Sequence, residues 1–149
     1  MSSQSEHRLT PYLCAKGAAA ALEFYARAFG AVETMRLAEP SGRIGHAEFK
    51  IGEATVMLAD EYPEMQVLSP QSLGGAAVMM HLYVPDVDAF VARAVAAGAT
   101  LVRPIEDQFY GDRAGTLVDP FGHRWMISTH KEDVSSAEME RRYKAILGG

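Results

Sequence analysis

The chain has 149 residues, of which 48% are hydrophobic and 22% charged, and its formal net charge is −5. That balance belongs to one compact soluble domain and excludes fibrous, collagen-like and wholly disordered chains. An acidic chain with no basic cluster has no field to hold a polyphosphate backbone, so nucleic acid is not an expected partner.

Residues 1–8 read as a disordered or extended lead. MSSQSEHR carries no apolar signal core, and no apolar run in the chain approaches the ~20 residues of a membrane helix, so a cytoplasmic protein with no membrane partner is expected. The single cysteine, Cys14, has no partner for a disulfide and cannot supply a thiolate cluster for zinc; it reads as a small apolar strand residue. Thr10 to Leu13 is a short apolar run of the strand type. Ala18 to Phe29 sets Ala21, Leu22, Tyr25 and Phe29 at helical spacing, and Gly30 stops it where a left-handed residue is cheap. Strands are predicted at 31–38, 44–51 and 54–60. The interval 61–77, with Pro63, Pro70, Gly74 and Gly75, reads as a long loop, either a linker or a cover for a site.

The pattern then repeats. Met79 to Val84 is a second strand, and Asp86 to Ala97 is a second helix with Asp86 as N-cap and Gly98 as its stop. Further strands are predicted at 99–103, 114–118 and 123–129. The match is clearest between Arg43-Ile44-Gly45 running to Gly52 and Arg113-Ala114-Gly115 running to Gly122, a period of about 70 residues. Ala137 to Leu147, behind Ser135 and Ser136, is a short amphipathic helix. The fold class is α+β: two tandem βαβββ modules, 9–60 and 78–130, whose curved mixed sheets enclose a cleft. They form one domain over 9–130, with a tail and helix over 131–149.

Particular motifs sharpen this. Leu9-Thr10-Pro11-Tyr12-Leu13, Phe24-Tyr25 with Phe29-Gly30-Ala31, and His81-Leu82-Tyr83-Val84-Pro85-Asp86-Val87-Asp88 stand in the helix-bearing parts. Asp107-Gln108-Phe109-Tyr110-Gly111-Asp112-Arg113, Asp119-Pro120-Phe121-Gly122-His123-Arg124-Trp125 and Thr129-His130-Lys131-Glu132-Asp133-Val134 follow. Together with the doubled βαβββ unit, these resemble the vicinal oxygen chelate superfamily of glyoxalase I, extradiol dioxygenases and bleomycin-resistance proteins, and most nearly its PhnB-like branch. The resemblance implies a homodimer in which units of two chains complete each sheet.

In metal-using members the cleft holds a divalent ion on four side chains, one from the first and one from the last strand of each unit. Carried over to this chain, those positions are Thr10, Met57, Met79 and Met126. A hydroxyl and three thioethers do not suit a hard dication, which wants imidazole nitrogen or carboxylate oxygen, so no metal and no other cofactor is expected. A displaced site of His46, Glu48 and His81 is the alternative, since His46 and Glu48 share one strand face.

The methionines instead suit an adaptable apolar lining. Thr10, Tyr12, Met57, Met79, His81 and Met126 are therefore candidate ligand contacts, with His81 the candidate acid or base. Phe109, Tyr110 and Arg113 add an aromatic edge and a guanidinium able to clamp a carboxylate, or Arg113 pins its loop through Asp107, Asp112 or Asp119. His123 reads as a solvated turn residue, and Trp125 as packing between sheet and helix. No serine-hydrolase elbow, phosphate loop or helical pair of histidine ligands is present. The leading reading is a glyoxalase- or bleomycin-resistance-like protein that sequesters or weakly transforms a small, partly apolar ligand. A metal-dependent lyase or isomerase and a purely structural or interaction module are the rivals.

Overall fold

The helix that follows the first strand of each unit begins on a side chain borrowed from the last strand of that unit. In the computed structural model, which describes residues 7–148, Asp60 Oδ1 accepts the first free amides of α1 (Ala18–Phe29), from Gly17 at 3.0 Å and Ala18 at 2.7 Å, while its Oδ2 accepts Ile44 N. Thr129 Oγ1 does the same for α3 (Val87–Ala97), accepting Val87 N at 2.8 Å, and Asp86 caps the next turn through Ala89 N. Helix N-termini leave amides unpaired, and these oxygens satisfy them. Gly30, in the left-handed region at φ 67°, closes α1 where a side chain would be strained.

The chain forms two compact units, Met1–Gly74 and Gly75–Gly149. The first holds β1 (Tyr12–Ala15), β2 (Val32–Ala38), β3 (Ile44–Ile51) and β4 (Ala54–Asp60) in the order β1-β4-β3-β2. The second holds β5 (Met79–Tyr83), β6 (Thr100–Asp107), β7 (Asp112–Val118) and β8 (Arg124–His130) in the order β5-β8-β7-β6. In each, the first and last strands run parallel and the other neighbours antiparallel, which is the βαβββ unit expected from the sequence. The initial residues 1–6 of the predicted extended lead lie outside the described residues.

One face of each sheet is buried against its helix. In the first unit Tyr25 stacks on Phe49 with centroids 5.1 Å apart, and Leu13, Val56 and Leu58 are buried with them. In the second unit Trp125, 2% exposed, lies with Leu117, Ile127, Val87 and Val91, and its Nε1–H donates to Asp119 Oδ2. Each large apolar side chain so removed from water contributes roughly 1.5–3 kcal/mol before entropy is counted. Strand alternation then leaves the opposite face open in both units.

Three expectations need correcting. The interval 61–77 is not a bare loop: it carries a 3₁₀ turn, Pro63–Met65, and a short helix α2 (Pro70–Leu73) capped by Ser69. His123 is not a solvated turn residue but 8% exposed, its amide donating to Asp119 Oδ1 within the tight turn that Asp119 organises. The glycine match that reveals the repeat also runs out of step with the sheets, because the ladder sets Ala47 beside Leu58 and Gly115 beside Ile127, one place from Met57 and Met126 respectively. Gly115 is thus level with Ala47 and not with Gly45.

A final helix, α4 (Ser136–Ile146), is capped by Ser135 and tied to the second unit by Arg142, which donates to the Phe109 carbonyl and pairs with Glu132.

Candidate functional site

The registers of the two ladders place one row of side chains across each open face. In the first unit the row is Tyr12, Met57, Glu48 and Met35, and in the second it is His81, Met126, Thr116 and Arg103. Met57 and Met126 hold matching places. Beside them stand Tyr12 and His81; Thr10 precedes β1 altogether, and Met79 pairs with Arg124.

The first face carries a hydrogen-bonded chain. Tyr12 Oη lies 2.6 Å from His46 Nδ1, and His46 Nε2 lies 2.8 Å from Glu48 Oε2. A carboxylate only accepts, so Nε2–H donates to Glu48 and Nδ1 accepts the Tyr12 hydroxyl. Burial, and then the Glu48 charge, push the Tyr12 phenol above its ordinary value. Beyond Tyr12 is a cavity of about 450 Å³, walled by Leu13, Cys14, Ala59, Tyr62, Met65 and Val67. The Cys14 thiol is pushed up to about 11 by burial and by Glu61 and Asp60, so it is unreactive and serves as apolar wall.

The second face carries a cavity of about 410 Å³. Met79, Met126 and Tyr110 line it together with Arg103, Arg124, Glu106, Gln108, Thr116 and Gly115. Burial, and then Asp112, raise the Tyr110 phenol. His81 lies on the same face, with Nε2 2.8 Å from the buried Ser128 hydroxyl and its ring 4.6 Å from that of Tyr83. Tyr83 donates to Asp112 Oδ2, which holds its hydroxyl above the ordinary range.

Sequence reasoning thus named residues that the fold distributes unevenly. Met79, Tyr110 and Met126 share one cavity and Tyr12 walls another. Arg113 lines neither of the two. Its Nε and Nη2 grip the Asp88 carboxylate at 2.9 and 3.1 Å and its Nη1 reaches Asp107, so it pins the 107–113 turn to α3. Phe109 packs edge-on to Tyr110 and against Tyr143 of α4. Arg43 is likewise structural, lying 3.8 Å above the Tyr62 ring and paired with Glu39 and Glu64. Arg103, Arg124 and Thr116 are cavity residues that sequence reasoning missed as contacts. The available signal was Pro104: proline inside a strand marks an edge or a bulge, where side-chain direction changes.

The donors do not fit a hard divalent ion. Tyr12 with Met57 in one unit and His81 with Met126 in the other offer a phenol, an imidazole and two thioethers, and both the phenol and the imidazole are already hydrogen-bonded. His46 and Glu48 are spent on each other and on Tyr12, and among the described residues no three His, Cys, Asp or Glu side chains gather to hold a metal.

Two βαβββ units, each burying one sheet face under a helix and leaving the other open with a small cavity, define a duplicated α+β protein. Residues 7–127 match the Glyoxalase/Bleomycin resistance protein/Dioxygenase superfamily, and the chain belongs to it. Among its relatives is Rv0887c of Mycobacterium tuberculosis, an uncharacterized protein that is 44% identical over 143 residues, covering 94% of this chain and 84% of that one. The crystal structure of TioX from Micromonospora superposes with a TM-score of 0.66 at 27% identity, over 84% of this chain and 99% of that one. A PhnB protein from Bacillus cereus shares the fold, with a TM-score of 0.63 at 17% identity over 83% and 99% of the two chains.

Proposed function

We propose that this superfamily member binds a small, partly apolar molecule without a metal ion, sequestering it or transforming it only weakly. The observation that carries the reading is the composition of the second unit's cavity. Met79 and Met126 supply adaptable apolar wall in a lining that is otherwise mostly polar, made by Arg103, Arg124, Glu106, Gln108, Tyr110 and Thr116. Its volume of about 410 Å³ falls in the range of small-molecule sites. His81, beside Met126 on the neighbouring strand, is the proton-transferring group in this reading. Tyr12 marks a second contact, in the first unit's cavity. The same reading includes a homodimer: Val32, Met35 and Leu37 leave apolar surface exposed along β2, an edge strand.

Native mass spectrometry of protein purified without chelator tests it. A small organic molecule retained or bound on addition, with no stoichiometric divalent metal, is expected. A stoichiometric metal, together with activity on a hemithioacetal or epoxide panel that chelator abolishes and Ni²⁺, Mn²⁺ or Zn²⁺ restores, would overturn the reading in favour of a metal-dependent lyase or isomerase. A sedimentation mass of a single chain would remove the dimer.

A further inference from the structure

The second unit's cavity holds two guanidinium groups that pair with no carboxylate among the described residues, and their placement is built into the sheet. On β6 and β7 the ladder pairs Leu101 with Leu117 and then Arg103 with Thr116, so Val102 is an extra residue. Regular alternation would have put Arg103 on the face of Leu101. The bulge turns it to the row of Thr116 and Met126, on the open face. A second irregularity follows between Arg103 and Glu106, around Pro104. Gly115 admits it: a Cβ there would lie 2.9 Å from Ile105 Cγ1 and 3.3 Å from the Arg103 carbonyl. Arg124 reaches the same face by ordinary alternation, two residues before Met126 and next to the buried Trp125.

Both side chains line the cavity. Among the described residues neither forms a hydrogen bond or an ion pair, whereas Arg36, Arg43, Arg113, Arg141 and Arg142 are each held by a carboxylate. Glu106 is the one acidic side chain in the lining, so the wall carries net positive charge in a chain whose total is −5. The Tyr110 and Thr116 hydroxyls and the Gln108 amide add neutral polar groups beside them. Guanidinium groups recognise carboxylate and phosphoryl oxygens through paired N–H donors, while thioethers accept an apolar body of loose shape.

We propose that this cavity recognises a small amphipathic oxyanion, a carboxylate or phosphoryl group on an apolar body, with Arg103 and Arg124 receiving the anion and Met79 and Met126 the body. The inference rests on the binding function proposed above and specifies its ligand class.

The test is calorimetric titration of the full chain with phenylbutyrate, phenylbutyl phosphate, phenylbutanol and phenylbutylamine, followed in parallel by the methyl resonances of Met79 and Met126. Both anions are expected to bind about tenfold more tightly than the alcohol, and the amine most weakly. Their ranking tells carboxylate from phosphoryl as the preferred group. Arg103→Gln and Arg124→Gln should each weaken the anions about threefold, and together bring them to the level of the alcohol, whose affinity stays fixed. Arg141→Gln, which removes a charge from α4 outside the cavity, should leave all four unchanged. Alcohol binding as tight as anion binding, anion affinity indifferent to both cavity substitutions, or an equal loss from Arg141→Gln would each overturn the anion assignment and leave the binding reading standing. Methyl resonances that none of the probes move would overturn the binding reading itself.

Discussion

The two open faces share one frame and carry opposite chemistry. Tyr12, Met57, Glu48 and Met35 in the first unit stand level with His81, Met126, Thr116 and Arg103 in the second. Each row is preceded by a one-residue bulge in the outer strand, at Thr34 and at Val102, so the duplicated backbone has kept even its irregularity. Of the four places only the methionine is common. One row leads into a carboxylate–imidazole–phenol chain, the other into a cationic cavity. Duplication fixes where side chains are presented, and the residue at each place decides what is presented.

The largest expected difference between the halves comes from one small residue. Gly115 stands level with Ala47, and Ala47 sits in a ladder that runs regularly from Met35 to Leu37, whereas β6 bulges a second time opposite Gly115. Gly115→Ala would drive a methyl into Ile105 and should cost about 1–3 kcal/mol while displacing Arg103. Ala47→Gly, which only loosens a regular strand, should cost about 0.5–1 kcal/mol. Urea midpoints of the two variants decide it, and equal costs would mean that the bulges are equivalent after all.

A smaller effect separates the two residues beside the methionines. Tyr12→Phe removes the hydroxyl that donates to His46 Nδ1, and should cost about 1 kcal/mol. It should also shift the Nδ1 resonance in a nitrogen-15 spectrum while leaving the Nε2–H that faces Glu48 in place. An unchanged Nδ1 resonance would dissolve the three-membered chain and leave the first face with an ordinary ion pair.

The sequence-legible part of this comparison was whatever depends on period and caps. The spacing of Ala21, Leu22, Tyr25 and Phe29 predicts α1 to its observed ends, and Asp86 and Ser135 mark caps that the hydrogen bonds bear out. Trp125 could be placed against the helix because its neighbours alternate. Register was not legible. A one-residue bulge reverses which side chains face the cavity, and Pro104 marks an irregular strand without saying at which residue the register slips. The sequence pattern therefore predicts β6 only over 99–103, does not single out Arg103, and aligns the repeat at Gly115 and Gly45, whereas the ladder sets Gly115 level with Ala47. The partners of Arg113 include Asp88, 25 positions away, a pairing that only the fold creates.

The last contrast lies at the ends of β4 and β8, immediately after the two helix-capping residues. Glu61 follows Asp60, and His130 follows Thr129. Hydrogen bonds from Ser72 and then from the Ser69 amide draw the Glu61 carboxyl down to about 2. His130 has Asp112 on Nδ1 and Asp133 on Nε2, and two acceptors favour the doubly protonated ring, so Asp112 first and Asp133 second hold it above its ordinary value. The signs are opposite. A depressed carboxyl stabilises the fold above its ordinary range and loses that contribution as the pH falls toward about 2. A raised imidazole contributes fully below its ordinary value of about 6.5, and the contribution fades as the pH rises through the higher native one. Glu61→Gln should therefore flatten the acid limb of a melting-temperature profile, and His130→Gln the limb above neutrality, each leaving the other limb untouched. His130 is exposed and Glu61 only half-buried, so the shifts should be small and should shrink with added salt. A His130→Gln profile parallel to that of the parent from about pH 5.5 to about pH 8.5 would show that the imidazole is neutral among its carboxylates, and that the two strand ends differ in geometry alone.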